Sequence, residues 1–135
     1  MLKVYLAAPY SQKNSIRLCA DELREGGVTV TSSWLDEIFA PTVQMAEIPA
    51  ETHRNFAIRD VKDVRDAQIL VFFNDPNAIR AGRHVEFGIA IGIGLTRKIP
   101  VFVVGVEYEN LFHHLPQVTH FENWGKVRDL LIAMA

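Results

Sequence analysis

Short apolar runs alternate along this chain with longer segments of helical periodicity, and this alternation constrains the fold more than any other feature. Val4 to Ala8 and Ile69 to Phe73 are continuous apolar runs, typical of buried strands. Strands that alternate with helices imply right-handed crossovers, and hence a parallel sheet with helices on both faces. The pattern predicts strands at about 4–8, 28–34, 69–73, 99–104 and 118–121, and helices at about 16–23, 51–66, 83–95 and 124–134.

Five parallel strands predict a doubly wound, flavodoxin-like α/β fold in which the first and third strands are neighbours. Ligands bind such a sheet beyond the carboxyl ends of its strands, where the winding direction reverses. The two loops that meet at this point follow Ala8 and Phe73. We therefore expect a ligand site between these two loops.

The composition is that of a single folded domain spanning residues 1–135. Apolar residues make up 49% of the chain and the net charge is −2, with no run of lysine or arginine. A polymeric nucleic acid is not an expected partner, because binding one requires a broad basic surface. No apolar stretch is long enough to cross a bilayer, and Pro9 interrupts the N-terminal run too early for a secretory signal. We expect a cytoplasmic protein with no membrane partner.

One long segment, from Asp36 to Ala50, has no clear period. It contains Pro41 and Pro49 together with several large apolar side chains. Loops of this length and apolarity are typically lids, binding loops or interface segments.

The segment Gly82–Ala90 carries one carboxylate, Glu86, among small and apolar residues. It follows the loop after the third predicted strand, so we expect Glu86 in the first turn of the next helix. The positive end of the helix dipole there would favour the ionised form, which a nucleophile or base requires. That helix is apolar almost all round and is expected to be well buried, with Gly88 and Gly92 allowing a neighbour to approach closely. The alternative for Glu86 is an ordinary helix-capping glutamate.

Asp60 is a second candidate carboxylate. It lies at the edge of an apolar stripe formed by Ala57, Val61 and Val64. A carboxylate on such a flank requires a partner, so a structural ion pair is one interpretation. The other is a second carboxyl group facing Glu86, because two carboxyl groups across one cleft suit cleavage of a glycosidic bond. Asp63 is its closest rival, whereas Arg59, Lys62 and Asp66 are expected to be solvated.

Further side chains near the two loops could orient a ligand. The Tyr5 hydroxyl could hydrogen-bond to Glu86 across the gap between the first and third strands, or Tyr5 could be a core residue. Arg80, Arg83 and His84, with loop amides and a helix N-terminus, would form an anion site, unless they are simply solvated. Trp34 could stack on a base or belong to the core. The pair His113-His114 lacks supporting ligand spacing, so we predict no metal site.

Three segments, in this order, resemble the nucleoside 2-deoxyribosyltransferase family and the related nucleoside 5′-monophosphate N-glycosidases. Lys3–Ala8 looks like the family's opening strand, with its active-site tyrosine at Tyr5. Asp60-Val61, followed by Asp66–Val71, is similar to its aspartate-bearing helix and third strand. Gly82–Ala90 looks like its Gly-x-x-x-Glu-x-Gly signature.

The resemblance implies that Glu86 attacks the anomeric carbon, that Tyr5 holds Glu86 in place and that Asp60 assists departure of the base. It implies no metal or organic cofactor, and a homodimer or larger assembly in which a neighbouring subunit completes the site. Arg80 hints at a phosphorylated substrate, which Ser11 or Lys13 could help to hold. The expected substrate contacts are Ala8, Ser11, Lys13, Trp34, Arg80, Gly82, Arg83, His84 and His114.

Several alternatives stay open at this point. Transfer to a second base or to water, and a nucleoside or a 5′-monophosphate as substrate, are equally compatible with the motifs. A non-catalytic nucleotide-binding or sensing module could use Glu86 to contact a ribose hydroxyl. A phospho-receiver is less favoured, because Asp75 follows the third strand but 7–9 lacks the acidic pair that would hold magnesium. No Gly-x-Gly-x-x-Gly follows the first strand, which argues against a dinucleotide site.

Overall fold

The computed structural model describes residues 1–37 and 47–135. Most of the long segment predicted as a lid, binding loop or interface segment, 38–46, lies outside the described residues. Within those two ranges, no helix combines the length and apolarity that a membrane span requires. The strands are β1 (Lys3–Ala7), β2 (Thr29–Val30), β3 (Ile69–Phe73), β4 (Val101–Val104) and β5 (Val118–Phe121), and the α-helices are α1 (Lys13–Glu25), α2 (Ala50–Asp66), α3 (Gly82–Ile93) and α4 (Trp124–Met134).

The five strands form one parallel sheet in the order β2-β1-β3-β4-β5. The predicted doubly wound, flavodoxin-like fold is confirmed, and β1 and β3 are neighbours as expected. β3 is buried at every position, which explains why its sequence is a continuous apolar run rather than an alternating one.

The second strand is shorter than predicted, because side-chain hydrogen bonds replace the backbone hydrogen bonds that a longer strand would form with β1. β2 contains only Thr29 and Val30, and Ser33–Asp36 forms a short 3-10 helix. The backbone N–H of Leu6 donates to Ser32 Oγ at 2.6 Å, and Trp34 Nε1 donates to the Leu6 carbonyl at 2.9 Å. These two bonds satisfy the β1 groups that a longer β2 would have paired.

The helices cover the two faces of the sheet in pairs. Phe72 contacts Phe87 of α3, with ring centroids 5.8 Å apart, whereas Phe73 contacts Trp124 of α4 at 5.6 Å. Successive strand residues point to opposite faces, so α3 and α4 lie on opposite sides of the sheet. α2 packs against α3, and α1 packs against α4, where Glu22 accepts hydrogen bonds from Trp124 and Arg128.

The expectation that α3 is buried almost all round is wrong. Its buried residues are Arg83, Phe87 and Ala90, whereas Val85 is 63% exposed. A Cβ atom added at Gly88 or Gly92 would meet nothing within 4 Å, so neither glycine serves a close approach inside the described chain.

The predicted apolar stripe of α2 is also shifted. Ala57 and Val61 are exposed, and the buried residues of this helix are Asp63 and Val64. The inward side of α2 therefore carries a carboxylate. Since α2 and α3 pack together, their outward apolar residues share one side of the molecule.

Candidate active site

The loops after β1 and β3 meet at the carboxyl edge of the sheet, as the topology predicts. Gln12 Nε2 donates to Asp75 Oδ2 at 2.7 Å, which joins the two loops directly. Asp75 also accepts from the backbone N–H of Asn77 through its other carboxylate oxygen, at 3.1 Å. Neither Gln12 nor Asp75 is a predicted ligand contact. Asp75 could have been found from its position directly after a buried strand, whereas Gln12 carries no such signal.

Tyr5 lies on the face of the sheet that α2 and α3 cover. Its register partner is Leu70, two residues before Phe72, whose ring contacts α3. Tyr5 is fully buried, and its hydroxyl has no hydrogen-bond partner in the described part of the chain. The predicted bond from Tyr5 to Glu86 is therefore absent among these residues. A buried hydroxyl without a partner costs free energy unless a ligand or another group completes it.

Glu86 is the fifth residue of α3, because the helix begins at Gly82. Glu86 therefore lies one residue beyond the predicted first turn, where the dipole of the helix acts more weakly. Glu86 is half-buried and forms no hydrogen bond or ion pair with any described residue. Burial raises the pKa of Glu86 to about 8, so the expected ionised form is not the resting form at neutral pH.

The three predicted catalytic residues face the same layer of the molecule. Glu86 immediately precedes Phe87 and lies one turn from Ala90, on the inward side of α3. Asp60 lies one turn before the buried residue Val64 on the inward side of α2. Tyr5 projects toward the same layer from β1. No hydrogen bond joins these three side chains within residues 1–37 and 47–135.

Asp60 has a cationic partner. Arg59 Nη2 donates to Asp60 Oδ1 at 3.1 Å, and the same guanidinium pairs with Glu37. Burial raises the pKa of the Asp60 carboxyl group. The hydrogen bond and charge of Arg59 lower this pKa, whereas the charges of Glu37 and Asp63 raise it further. The expectation that Arg59 is solvated is wrong, because it bridges two carboxylates and packs over the Phe56 ring.

Asp63, the rival of Asp60, has a structural role. It is buried and accepts the backbone N–H of Ser33 at 3.0 Å, while its carbonyl accepts the Thr31 hydroxyl at 2.9 Å. These bonds anchor the segment after β2 to α2. Of the two aspartates, Asp60 is therefore the one available for chemistry.

Arg83 is buried rather than presented to a ligand. Its Nη2 atom donates to Glu109 Oε1 at 2.7 Å and to the Asp75 carbonyl at 3.0 Å, and Nη1 donates to the Arg80 carbonyl at 3.1 Å. The guanidinium thereby joins the loop after β3 to the loop after β4. Arg80 and Gly82, by contrast, are exposed.

The other predicted contacts differ in accessibility. Ala8 and Trp34 are buried, and the tryptophan ring packs against Tyr10 with centroids 6.3 Å apart, as in the core interpretation. Ser11 is exposed, and Lys13 lies with its ammonium group 5.2 Å from the Tyr10 ring. His84 is half-buried and stacks on His113, and exposed His114 stacks on Tyr108 with centroids 3.9 Å apart.

A cavity of about 380 Å³ lies beside, and not at, the three predicted catalytic residues. Buried polar atoms without a partner occur on both sides: the Tyr5 hydroxyl lies toward the predicted catalytic residues, and the two ring nitrogens of His113 lie beside His84 of the cavity lining. No group of three or more metal-binding side chains occurs among the described residues. The cavity is lined by Pro76, Ala78, Arg83, His84, Glu107, Tyr108 and Glu109.

The fold is shared with several solved structures. A 2-deoxyribosyltransferase from Bacillus psychrosaccharolyticus superposes with a TM-score of 0.71 at 24% identity, over 94% of this chain and 90% of that one. The CMP N-glycosidase BcmB from Clostridium botulinum gives 0.60 at 18% identity, over 96% and 97% of the two chains. A conserved protein from Enterococcus faecalis V583 gives 0.63 at 12% identity, over 100% and 99%.

These likenesses establish a common architecture over nearly the whole chain. No protein-family model matches the sequence, and no curated protein matches it significantly. Any assignment of chemistry must therefore come from the residues of this chain.

Proposed function

We propose that the protein cleaves the N-glycosidic bond of a nucleoside or nucleoside 5′-monophosphate and passes the glycosyl group to another base or to water. The observation that carries this proposal is Glu86, a half-buried carboxylate without a partner among the described residues, on the inward side of α3. Asp60, on the neighbouring helix, and Tyr5, beneath them, supply a second carboxyl group and an unused hydroxyl. The fold shared with a deoxyribosyltransferase and a CMP N-glycosidase supports the same chemistry.

The reaction proceeds in two displacements. Ionised Glu86 attacks the anomeric carbon, the bond from that carbon to the base nitrogen breaks, and Asp60 gives its proton to the departing base. Water or a second base then attacks the same carbon and releases Glu86. Asp60 takes a proton from the attacking group, which returns the pair to its starting state. When Glu86 ionises in the complex with substrate, the Tyr5 hydroxyl, which has no partner among the described residues, turns to donate a hydrogen bond to the carboxylate and stabilises it.

The Asp60–Glu86 pair of the free enzyme must hold one proton to react, with Asp60 protonated and Glu86 ionised. Since burial raises the pKa of Glu86 to about 8, the pair loses this single proton near pH 8. We therefore expect kcat/KM of the wild type to fall above pH 8. In Asp60→Asn only the ionisation of Glu86 matters, so the residual kcat/KM should rise through the same range. Initial rates between pH 5 and 10 measure both profiles, and identical profiles would contradict the assignment of Asp60 as the acid.

The direct test is an assay of free base. The protein is incubated with a panel of nucleosides and their 5′-monophosphates, with and without an acceptor base, and the products are separated by chromatography. Free base or an exchanged nucleoside supports the proposal. Binding of a nucleoside without any product supports the second candidate, a sensing module, which a protonated Glu86 bonded to a ribose hydroxyl would suit.

A homodimer or larger homo-oligomer is part of the proposal. Val85 on α3 and Ile58 on α2 are 63% and 62% exposed, and open space lies over Gly88 and Gly92. Large apolar side chains exposed on the outward sides of two packed helices typically mark an interface, and a second copy of the same surface would cover them symmetrically.

Val85→Glu should lower the mass in solution to that of one chain, because each copy would bury an unpaired carboxylate in the interface. Light scattering coupled to size exclusion measures this mass. Leu18→Glu on α1 is the matched control, since Leu18 is 66% exposed on the opposite side of the sheet. An unchanged mass for Val85→Glu, or a monomeric wild type, would contradict the proposed interface.

A further inference from the structure

One guanidinium group, that of Arg59, is shared by two carboxylates. Its Nη2 atom donates to Asp60 Oδ1 at 3.1 Å and also to Glu37 Oε1. The Glu37 side chain is 9% exposed and the Asp60 side chain 28%, so water screens the pair with Glu37 less. Of the two carboxylates, Glu37 is therefore the partner that Arg59 keeps more firmly.

Arg59 has further contacts that keep it beside Glu37. The carbon at the centre of its guanidinium group lies 4.8 Å from the centroid of the Phe56 ring, and its Nε atom is buried. Neither contact depends on Asp60. The guanidinium group can therefore stay in place when its bond to Asp60 is lost.

The bond from Arg59 opposes the role proposed for Asp60. Asp60 must hold a proton in order to give it to the departing base, whereas Arg59 stabilises the ionised carboxylate. Without another anion nearby, protonation of Asp60 would leave a partly buried cation with no counter-ion. Glu37 prevents this, because it neutralises Arg59 whether Asp60 is charged or not.

The other charged groups near Asp60 do not duplicate this effect. The negative charge of Asp63 also favours protonated Asp60, but its carboxylate is bound to the backbone N–H of Ser33. Among the described residues, Glu37 is the carboxylate other than Asp60 that pairs with Arg59. The elements packed against α2 are β1, the 3-10 helix Ser33–Asp36 and α3, and their remaining titratable groups are Lys3, Tyr5, Asp36, Arg83, His84 and Glu86, of which Tyr5 and Glu86 face the layer of Asp60.

We propose that Glu37 is a positioning residue, which holds Arg59 when Asp60 becomes neutral and so allows Asp60 to carry the proton that the departing base receives. This inference rests on the proposed function. Glu37 and Arg59 stay charged throughout the reaction and act only through Asp60. The proton itself passes from Asp60 to the base nitrogen as the bond from that nitrogen to the anomeric carbon breaks.

Glu37→Gln should lower kcat/KM by about tenfold below pH 8, because Arg59 is then left to Asp60 alone and keeps it ionised. The fall in kcat/KM above pH 8 should stay in place, since it follows the ionisation of Glu86. Initial rates with one nucleoside between pH 5 and 10 measure both effects. Asp66→Asn is the matched control: it takes the carboxylate from an exposed ion pair with Lys62 on the same helix and should change neither.

A double variant separates this role from a merely structural one. Glu37→Gln combined with Arg59→Met removes both charges, so no cation holds Asp60 ionised, and kcat/KM should return to within about threefold of the wild type. A protein that was only damaged by the loss of Glu37 would lose more activity with the second change. Failure of the double variant to recover, or a wild-type kcat/KM in Glu37→Gln, would overturn the inference.

Carbon NMR titration of the Asp60 carboxyl group tests the same link without turnover. The signal is assigned by its absence in Asp60→Asn. The pKa of Asp60 should be lower in Glu37→Gln than in the wild type, and should rise again in the double variant. If no nucleoside or nucleotide is cleaved but these shifts occur, the proposed function fails and the link from Glu37 through Arg59 to Asp60 stands. A pKa of Asp60 that Glu37→Gln does not alter would overturn the link.

Discussion

Glu86→Gln should lower kcat by at least about a thousandfold on any nucleoside that the wild-type protein cleaves, because loss of a nucleophile removes the covalent route entirely. Glutamine has nearly the same shape as glutamate, so binding of the substrate should be largely retained. Single-turnover measurements with a saturating nucleoside test this directly. Turnover at a rate similar to that of the wild type would exclude Glu86 as the nucleophile.

The stability of Glu86→Gln shows whether the variant is folded. Burial raises the pKa of Glu86 to about 8, above that of a glutamate in the unfolded chain. The stability contributed by the protonated form is therefore fully present below the pKa of a glutamate in the unfolded chain, about 4, and is lost progressively as the pH rises from there to about 8. Glutamine cannot ionise, so at pH 9 the free energy of unfolding of Glu86→Gln should exceed that of the wild type by up to about 5 kcal/mol.

Urea titrations at pH 4 and pH 9 measure this difference, which should be much smaller at pH 4. Glu25→Gln changes an exposed glutamate on α1 and is the matched control, with no such dependence on pH. A Glu86→Gln protein that is less stable than the wild type at pH 9 would show that the carboxylate is paired in the folded state. Loss of activity would then need another explanation.

The second large effect concerns stability. Arg83→Met should reduce the free energy of unfolding by about 3–5 kcal/mol, because it leaves the Glu109 carboxylate buried without its cation. The side chains of Arg83 and Glu109 are only 2% and 8% exposed, and the 2.7 Å bond between them is little screened by water. The change also removes donors from the carbonyls of Asp75 and Arg80.

Combining Arg83→Met with Glu109→Leu should restore much of that stability, because the second change removes the stranded charge. Urea titrations of the wild type, both single variants and the double variant give the coupling free energy between the two positions. A loss below about 1 kcal/mol for Arg83→Met would mean that water reaches Glu109 and that the pair does not hold the two loops together.

The order of elements was predictable because strands buried on both faces and helices with one buried stripe leave different periods in the sequence. β3 and β5 have the bounds that the pattern predicts. The length of β2 was not predictable, because it depends on Ser32 and Trp34 bonding to Leu6, far earlier in the chain. The exposed side of α3 was missed for another reason: apolar periodicity does not distinguish a residue of the core from one at an interface.

Some features of the candidate site could likewise be predicted from the sequence, and others could not. Tyr5, Asp60 and Glu86 could be placed in one layer from topology and helical spacing. Arg80 and Arg83 could not be told apart, because the difference depends on Glu109, which is distant in sequence and reaches Arg83 through the fold. The protonation of Glu86 was mispredicted because the dipole of a helix can be inferred from sequence, whereas the depth of burial cannot.

The two side-chain bonds to Leu6 have a consequence for how the folded chain behaves in a crowded solution. β2 is an edge strand, and a long edge with free N–H and C=O groups is a template on which another chain can add a strand and aggregate. This edge ends after Thr29 and Val30, and beyond them the Leu6 groups are already occupied by Ser32 and Trp34. The β2 edge of the sheet thus offers few free backbone groups, which protects this edge against the addition of strands from other chains.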